Sequence, residues 1–288
     1  MHVDDIDYNM NATLIRTIRT KAADNENKGI AGLTVLAGEL FVVSRMSSEI
    51  EVYDSTSFNF RRRMLLPDLK NPEDIVSSAR NNSLYISDWK YFDQAKEIMQ
   101  ITPDGRLVKK WTTDDNGGSL SVSKDSYVTL TIRNRSRLHE YTSDGLLISE
   151  VNLAPDIVHP SHALKLTNGQ FLVSYGDVGD REHGVCLLDD SGRIVRSVGG
   201  RDSVFDGMDV PFYIAADDKG SILVLDRNNK RVLVFSLALG FRGELLSRDE
   251  GLKDSHRMYF DSSSDRLFVA DNMMGWIHGR VLIFDIRL

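Results

Sequence analysis

The sequence lacks several features that would indicate other kinds of protein. Cys186 is its single cysteine, which excludes an intrachain disulfide and a cysteine-based zinc site and fits an apolar filler in a strand. No apolar run approaches the roughly 20 residues that cross a bilayer. The acidic, polar start MHVDDIDYNMN also differs from a signal peptide, which is cationic and then apolar. These absences predict a cytoplasmic protein with no membrane segment.

Positive charge is also in short supply, because 35 Lys and Arg residues face 42 Asp and Glu residues, for a net charge of −7. This sign disfavours a protein whose whole surface binds the phosphate backbone of a nucleic acid, although a local basic patch is compatible with it. No stretch has the period of an amphipathic helix. With 41% hydrophobic residues, the composition predicts a soluble protein with a large core built from strands.

Six similar phrases recur along the chain and define an internal repeat. They read GELFVVSR, NSLYISDW, DSYVTLTI, GQFLVSYG, GSILVLDR and DRLFVADN, and they begin at Gly38, Asn82, Asp125, Gly169, Gly220 and Asp265. Successive starts differ by 44, 43, 44, 51 and 45 residues. Each unit contains four short strands rich in β-branched and aromatic residues, and tight turns such as TPDGR and TSDGL join the third strand to the fourth. This pattern is typical of the blades of a β-propeller.

The two ends of the chain predict how the ring closes. The last unit stops after its third strand, and a surplus strand, TLIRTIR at 13–19, precedes the first unit. We therefore predict an all-β, six-bladed propeller of four-stranded antiparallel blades, in which the N-terminal strand completes the last blade. A polar extension at 1–11 precedes a single propeller domain at 12–288. The predicted blades lie at about 30–67, 72–113, 117–153, 160–200, 211–247 and 256–288 plus 13–19.

One stretch resembles a known repeat family. PFYIAADDKGSILVLDRNNKRVLVFS, from Pro211, is similar to an NHL repeat, which has a leading Pro, an Asp ending the second strand and an N-x-R-V start to the third. The matching positions are Pro72, Pro160 and Pro211, then Asp88, Asp226 and Asp271, then Asn229, Arg231 and Val232. The first, third and fourth units lack the Asp. The resemblance implies a propeller like the C-terminal domain of tripartite-motif/NHL proteins, with ligands on the face formed by inter-blade loops and by loops between second and third strands.

The NHL-like aspartates have a structural explanation. An Asp at the end of a strand can accept backbone N–H groups and hold the turn that follows. We predict this role for all three.

The inner strands line a central channel, and their alignment predicts one residue per blade at its mouth: Gly32, Asp74, Ser119, His162, Tyr213 and Arg257. Resemblance to two groups of NHL-like propellers implies that a metal site could lie here. The amidating lyases hold a metal ion with three histidines, and the gluconolactonase-like hydrolases hold one with Glu, Asn and Asp. The sequence offers one channel histidine, so we predict no metal and no other cofactor. The alternative function is a metal-assisted hydrolase or lyase acting with the catalytic residues His162, Asp74, Tyr213 and Arg257.

Loops on the presumed binding face carry aromatic, methionine and arginine residues. We predict that they bind a partner through the apolar anchors Trp89, Tyr91, Met274 and Trp276 and the orienting charges Arg133, Arg135, Arg227 and Arg231. The arginines also permit a third function, RNA binding, but acidic residues in neighbouring loops should largely cancel their field. The sequence thus predicts a non-enzymatic, monomeric scaffold that binds a protein or peptide.

Overall fold

The chain folds into six four-stranded antiparallel sheets arranged as a propeller. This computed structural model describes residues 10–20, 28–90, 95–113, 118–199, 207–217, 219–272 and 279–288. The all-β, six-bladed architecture that the repeat predicts is confirmed. Helical structure in the described ranges is limited to 3₁₀ turns such as Arg133–Arg135 and Arg248–Glu250, and none of it has the length and apolarity to span a membrane.

The strands follow one order in every blade, from the channel outwards. The first strand in the chain, β1 (Asn11–Arg19), lies at the outer edge of blade 6. Blade 1 contains β2 (Ile30–Leu36), β3 (Glu39–Ser44), β4 (Glu49–Asp54) and β5 (Phe60–Leu65), and blade 2 contains β6 (Pro72–Ser78), β7 (Ser83–Lys90), β8 (Ala95–Ile101) and β9 (Leu107–Thr113). Blade 3 contains β10 (Leu120–Val122), β11 (Val128–Ile132), β12 (Arg137–Tyr141) and β13 (Leu147–Asn152). Blade 4 contains β14 (Pro160–Lys165), β15 (Phe171–Tyr175), β16 (Gly184–Leu188) and β17 (Ile194–Gly199). Blade 5 contains β18 (Pro211–Ala216), β19 (Ser221–Asp226), β20 (Arg231–Ser236) and β21 (Phe241–Leu246), and blade 6 contains β22 (Asp254–Asp261), β23 (Arg266–Asn272) and β24 (Arg280–Arg287).

The N-terminal strand closes the ring, as predicted. β1 pairs antiparallel with β24, with Thr17 opposite Leu282 and Arg19 opposite Arg280. Ile18 is buried in the core that joins blades 6 and 1. The closure is therefore both a hydrogen-bonded ladder and an apolar contact, and it covers an edge that would otherwise be free to pair with another chain.

The hydrophobic core lies between neighbouring blades. Phe41 and Ile50 of blade 1 pack with Ile75 and Ile86 of blade 2, for example, and equivalent clusters join the other blades. A middle strand such as β19 is buried throughout because both faces of its sheet contact another blade, whereas the first four residues of the outer strand β17 are exposed. This explains why the middle strands read as continuous apolar runs.

The predicted tight turns between third and fourth strands are present. Gly105 and Gly145 have φ angles of +91° and +85°, and their N–H groups donate to the carbonyl oxygens of Thr102 and Thr142 at 2.9 and 3.0 Å. A side chain in this left-handed conformation would be strained, so glycine is the residue that fits.

A β-bulge recurs at the start of the inner strands. The pairing with the second strand skips one residue just before Gly32, Asp74, His162, Tyr213 and Arg257, which are then in register with the neighbouring strand. A bulge redirects side chains and sharpens the twist of a strand. Because these five positions are equivalent, the structure places five of the six predicted mouth residues at one level of the channel, and Ser119 lies just before the inner strand of blade 3.

Candidate functional site

Asp74 and Arg257 form an ion pair across the channel mouth. Asp74 Oδ1 lies 3.2 Å from Arg257 Nε, and Asp74 Oδ2 accepts the backbone N–H of Leu120 at 2.9 Å. Blade 1 stands between these two blades, and its equivalent residue is Gly32, whose absent Cβ would lie 3.0 Å from both the Cα and Oδ1 of Asp74. Arg257 also donates to the Glu73 carbonyl oxygen at 3.0 Å. Burial raises the pKa of Asp74, and the charge of Arg257 opposes this shift.

His162 and Tyr213 form the opposite side of the mouth. Their rings are stacked, with centroids 3.7 Å apart and planes at 15°. The Ile214 N–H donates to His162 Nδ1 at 3.3 Å, so the proton is on Nε2, which donates to the Leu120 carbonyl oxygen at 3.1 Å. Burial, and then the charge of Arg257, lowers the pKa of His162 to about 3. The imidazole is therefore neutral at physiological pH, and both of its nitrogens contact the backbone of neighbouring blades.

Other polar residues at this level also join one blade to the next. Ser119 donates to the Ser161 carbonyl oxygen at 2.5 Å. His256 Nε2 lies 2.6 Å from the Ile30 carbonyl oxygen, and the Ile30 N–H donates to Asn272 Oδ1 at 3.0 Å. Burial lowers the pKa of His256 well below its usual value, so this ring too is neutral. The mouth is therefore a belt of hydrogen bonds between blades.

The belt closes the channel on the loop face. The four candidate catalytic residues, His162, Asp74, Tyr213 and Arg257, lie together in this belt, and each is at least nine-tenths buried. In the described part of the chain, no three His, Cys, Asp or Glu side chains converge in a way that could hold a metal ion. The arrangement orders the ring and keeps the imidazole away from solvent. Cys186 is also buried, in β16, and burial raises its pKa to about 12.

A charged layer covers this belt on the loop face. Arg227 contacts Asp254 Oδ1 through Nε and Nη2 at 2.8 and 2.7 Å, and its guanidinium and that of Arg257 each lie 5.4 Å from the ring of Phe212. Burial lowers the pKa of Arg45, and the charges of Arg257 and Arg227 lower it further. Three guanidinium groups therefore surround the mouth.

The other predicted arginines differ in their surroundings. Arg133 is half-buried and forms an ion pair with Asp177. Arg231 contacts Asp226 Oδ2 through Nε at 2.8 Å and donates to a carbonyl oxygen of a neighbouring loop. Arg135 is exposed. Two of these guanidinium groups are thus engaged with their own or a neighbouring loop.

The predicted aromatic anchors are only partly described. Trp89 is half-buried at the end of β7, with Lys96 Nζ 5.9 Å from its ring. Tyr91, Met274 and Trp276 lie outside the described residues.

The NHL-like aspartates hold loops, as predicted, but mainly the loop before the inner strand and not the turn after their own strand. Asp88 accepts the N–H groups of Lys70 and Asn71, and Asp226 accepts that of Asp209 at 2.8 Å. Asp271 does the same in blade 6, accepting two backbone N–H groups at 2.8 and 3.0 Å. Their partners precede them by 17 or 18 residues, a pairing that a single repeat cannot reveal.

Sequence reasoning missed two exposed apolar side chains on the loop face. Met46 and Val178 are each 72% exposed, the highest values among the large hydrophobic residues described, and both lie on loops between second and third strands. Met46 has a φ of +53°, a left-handed conformation that costs about 1 kcal/mol in a residue with a Cβ. Its N–H donates to Asn71 Oδ1 at 3.0 Å, and Asp88 in turn holds Asn71. Equivalent loop positions in the repeat could have pointed to both residues.

A groove of about 400 Å³ lies beside Val178 on the same face. Its walls are mostly polar, with Val178 and Met208 as the apolar side chains among Asp180, Arg181, His183, Asp209 and Asn228.

Comparison with known proteins defines this chain as a β-propeller protein and goes no further. No family description matches the sequence, and no curated protein matches it. Among solved structures, it resembles the PQQ-bound aldose sugar dehydrogenase of Streptomyces coelicolor, with a TM-score of 0.66 and 14% identity over 97% of this chain and 99% of the other. A protein of unknown function from Bacteroides caccae has a TM-score of 0.59 and 14% identity, over 78% and 84% of the two chains. Hydrazine synthase of Kuenenia stuttgartiensis has a TM-score of 0.57 and 13% identity, over 88% and 78%. At such identities the likeness shows the fold alone.

Proposed function

We propose that this chain is a non-enzymatic binding protein that recognises a protein or peptide partner through its loop face, in the cytoplasm and as a monomer. The observation that carries the proposal is the placement of Met46 and Val178, which are the most exposed large apolar side chains described and stand on this face. Exposed apolar side chains held on ordered loops are what an interface uses as anchors.

The geometry of the Met46 loop supports this function. Its left-handed backbone has a cost that the hydrogen bonds through Asn71 and Asp88 offset, so the side chain is held outwards before any partner arrives. A preorganised anchor loses little conformational entropy on binding. The groove beside Val178 provides a second place for a partner side chain.

The charged layer between these anchors favours a partner with a carboxylate. Arg45, Arg227 and Arg257 surround the mouth, and Arg227 and Arg257 are paired with Asp254 and Asp74. The charges of Arg257 and Arg227 still lower the pKa of Arg45, although Glu73 and Asp254 oppose this shift, so one carboxylate of a partner placed above Arg45 would be stabilised. The partner that fits is a peptide segment with an apolar and an acidic side chain.

The enzyme alternative has less support. His162 and Asp74 would be the proton-transferring groups, but both are buried and hydrogen-bonded to backbone of neighbouring blades. A general base needs an atom available to take the proton of its substrate, and both nitrogens of His162 are already engaged with backbone groups. The dehydrogenase that shares the fold has only 14% identity, so its cofactor is a property of that protein.

RNA binding also has less support than protein binding. Arg133, Arg227 and Arg231 are paired with Asp177, Asp254 and Asp226 in their own or adjacent loops. Each pair reduces the charge that a phosphate would meet.

We also infer that the repeats are degenerate NHL repeats. Asp226 contacts Arg231 at 2.8 Å and Asp271 contacts Arg280 at 2.7 Å, so the same Asp–Arg pair links the second and third strands in two blades. The matching arginines begin the third strand in both.

A peptide display experiment tests the proposed function. Random peptides displayed on phage are selected on the full chain, and the enriched peptides are then measured against Val178→Ser and against Met46→Ser. Loss of an apolar anchor should weaken binding by at least about tenfold. Val195→Ser is the matched control, because Val195 is also exposed but lies on the outer strand β17. Absence of enriched peptides, or equal binding to all three variants, would refute the proposal.

A further inference from the structure

The channel holds a cavity on the side away from the loop face. It begins beneath His162 and Tyr213 and has a volume of about 210 Å³. Its walls are the later residues of the inner strands, which run away from the loop face. Ser77, Val122 and Leu164 at this end are partly exposed, whereas the mouth residues above are buried. The cavity is therefore closed on one side by the belt and accessible from the other.

The cavity wall has a polar half and an apolar half. Blades 1, 2 and 3 contribute the hydroxyl groups of Thr34, Ser77 and Ser121 at neighbouring positions. On blades 4 and 5 the wall below His162 and Tyr213 consists of Leu164, Ile214, Ala215 and Ala216. Blade 6 adds the rings of Tyr259 and Phe260. A molecule that fills this space must have a polar edge and an apolar face.

In the polar half, the Thr34 hydroxyl is set to accept a hydrogen bond, and the Ser121 hydroxyl can accept or donate one. Ser77 donates its proton to the Val35 carbonyl oxygen at 2.9 Å, so Thr34 must be the donor in the 2.9 Å contact with Ser77. With its proton committed, the Thr34 oxygen can only accept a further hydrogen bond. Ser121 has no hydrogen-bond partner for its buried hydroxyl within the described part of the chain. A ligand with hydroxyl donors fits this wall.

Charge and size restrict the ligand further. None of the described residues around the cavity is charged, because the pKa of His162, about 3, keeps its ring neutral. An ionised ligand would lose its hydration without gaining a counter-charge. The volume corresponds to about seven water molecules at ~30 Å³ each, which is below the range of drug-sized pockets.

We propose that this cavity binds a small uncharged hydroxylated ring compound of monosaccharide size, with its hydroxyl edge against Thr34 and Ser121 and its apolar face against Leu164, Ala215 and Phe260. The site is separate from the loop face, so this proposal does not depend on whether the loop face binds a partner. The aromatic and aliphatic side chains of one half of the wall pack on the C–H face of such a ring. The hydroxyl groups of the other half form hydrogen bonds with the hydroxyl groups of the ligand, so one molecule complements both halves.

Methyl-labelled methionine gives a direct readout of the cavity. Met258 lines the cavity and is buried, and its methyl resonance is identified by its loss in Met258→Leu. The probe is methyl β-glucopyranoside, with glucuronate and glucosamine as anionic and cationic molecules of the same size. The uncharged probe should shift the Met258 resonance saturably with a Kd in the millimolar range, and the charged ones should not.

Two variants connect the shift to the cavity. Ala215→Leu fills the space and should abolish the response, whereas Ala79→Leu, the same change at an exposed position outside the cavity, should leave it unaltered. If Ala215→Leu fails to fold, Thr34→Val decides, because it keeps the shape and should weaken binding about three- to tenfold through one lost hydrogen bond. The proposal would be overturned if the uncharged probe gave no saturable shift, or if the charged probes gave equal shifts. It would also be overturned if Ala215→Leu, or Thr34→Val where Ala215→Leu does not fold, bound the probe as the wild type does.

Discussion

Acidification should destabilise this propeller through its buried histidines. The folded-state pKa of His162, about 3, lies below its ordinary value of 6.5, so between these values protons bind preferentially to the unfolded chain. Stability is therefore complete above about pH 6.5 and declines as the pH falls towards the folded-state pKa. The groups facing this ring are Tyr213, the backbone of Leu120 and Ile214, and the charge of Arg257.

The magnitude follows from the size of the shift. Each pH unit inside the window removes about 1.4 kcal/mol, so His162 alone should lower the free energy of unfolding by about 2 kcal/mol at about pH 5. Burial also lowers the pKa of His256 well below its ordinary value, so its protonation in the unfolded chain adds to the loss. The wild-type protein should therefore lose more than the ~2 kcal/mol that His162 accounts for between neutral pH and about pH 5.

Chemical denaturation at several pH values measures this loss. His162→Gln keeps a donor and an acceptor but cannot titrate, so it should remove about 2 kcal/mol of the loss between neutral pH and about pH 5. His159→Gln is the matched control, because His159 is half-exposed and hydrogen-bonded to Asp180 at 2.8 Å. If His162→Gln retained the full wild-type slope, the assignment of a buried, neutral imidazole at the mouth would be refuted.

Three further changes test the ring itself. Gly32→Ala should lower the free energy of unfolding by about 1–3 kcal/mol, because the new Cβ would lie 2.7 Å from a backbone nitrogen of blade 2. Gly118→Ala is the control, because a Cβ there has open space, and it should leave the free energy of unfolding unchanged in the same denaturation assay. Removal of residues 1–20 should leave β24 as a free edge and produce aggregates in size-exclusion chromatography, and a stable monomer would contradict the closure. Asp271→Asn should cost about 3 kcal/mol in thermal or chemical unfolding because it leaves the Arg280 charge without its partner, and wild-type stability would show that this pair is dispensable.

The repeat carried most of the fold prediction. The phrase ending in Leu225–Asp226 recurs in blade 6 because each middle strand is buried on both faces and so needs the same apolar run. The closing strand could be predicted because the last repeat has no fourth strand after β24. The register of the mouth residues was also predictable, since each of the inner strands of five blades has its bulge at the same position.

The candidate site was less accessible from the sequence. The sequence alignment identified the mouth residues. It could not show that Gly32 leaves room for Arg257 to reach past blade 1 and contact Asp74. Likewise, the exposure of Met46 depends on Asn71, which belongs to the next blade and lies 25 residues away. Such contacts join different repeats, and one chain has no pattern that encodes them.

Local chemistry alone thus determined the strands, the turns and the number of blades, because hydrophobic alternation, glycine turns and repeat length act within a few tens of residues. The sequence also indicated the ring closure, because a strand is missing from the last repeat and a surplus strand precedes the first. Only the tertiary structure decided that His162 is neutral and enclosed, that the mouth is closed by its own hydrogen bonds, and that an uncharged cavity lies beneath it. Those properties depend on burial and on charges from other blades, and both come into existence only when the ring is complete.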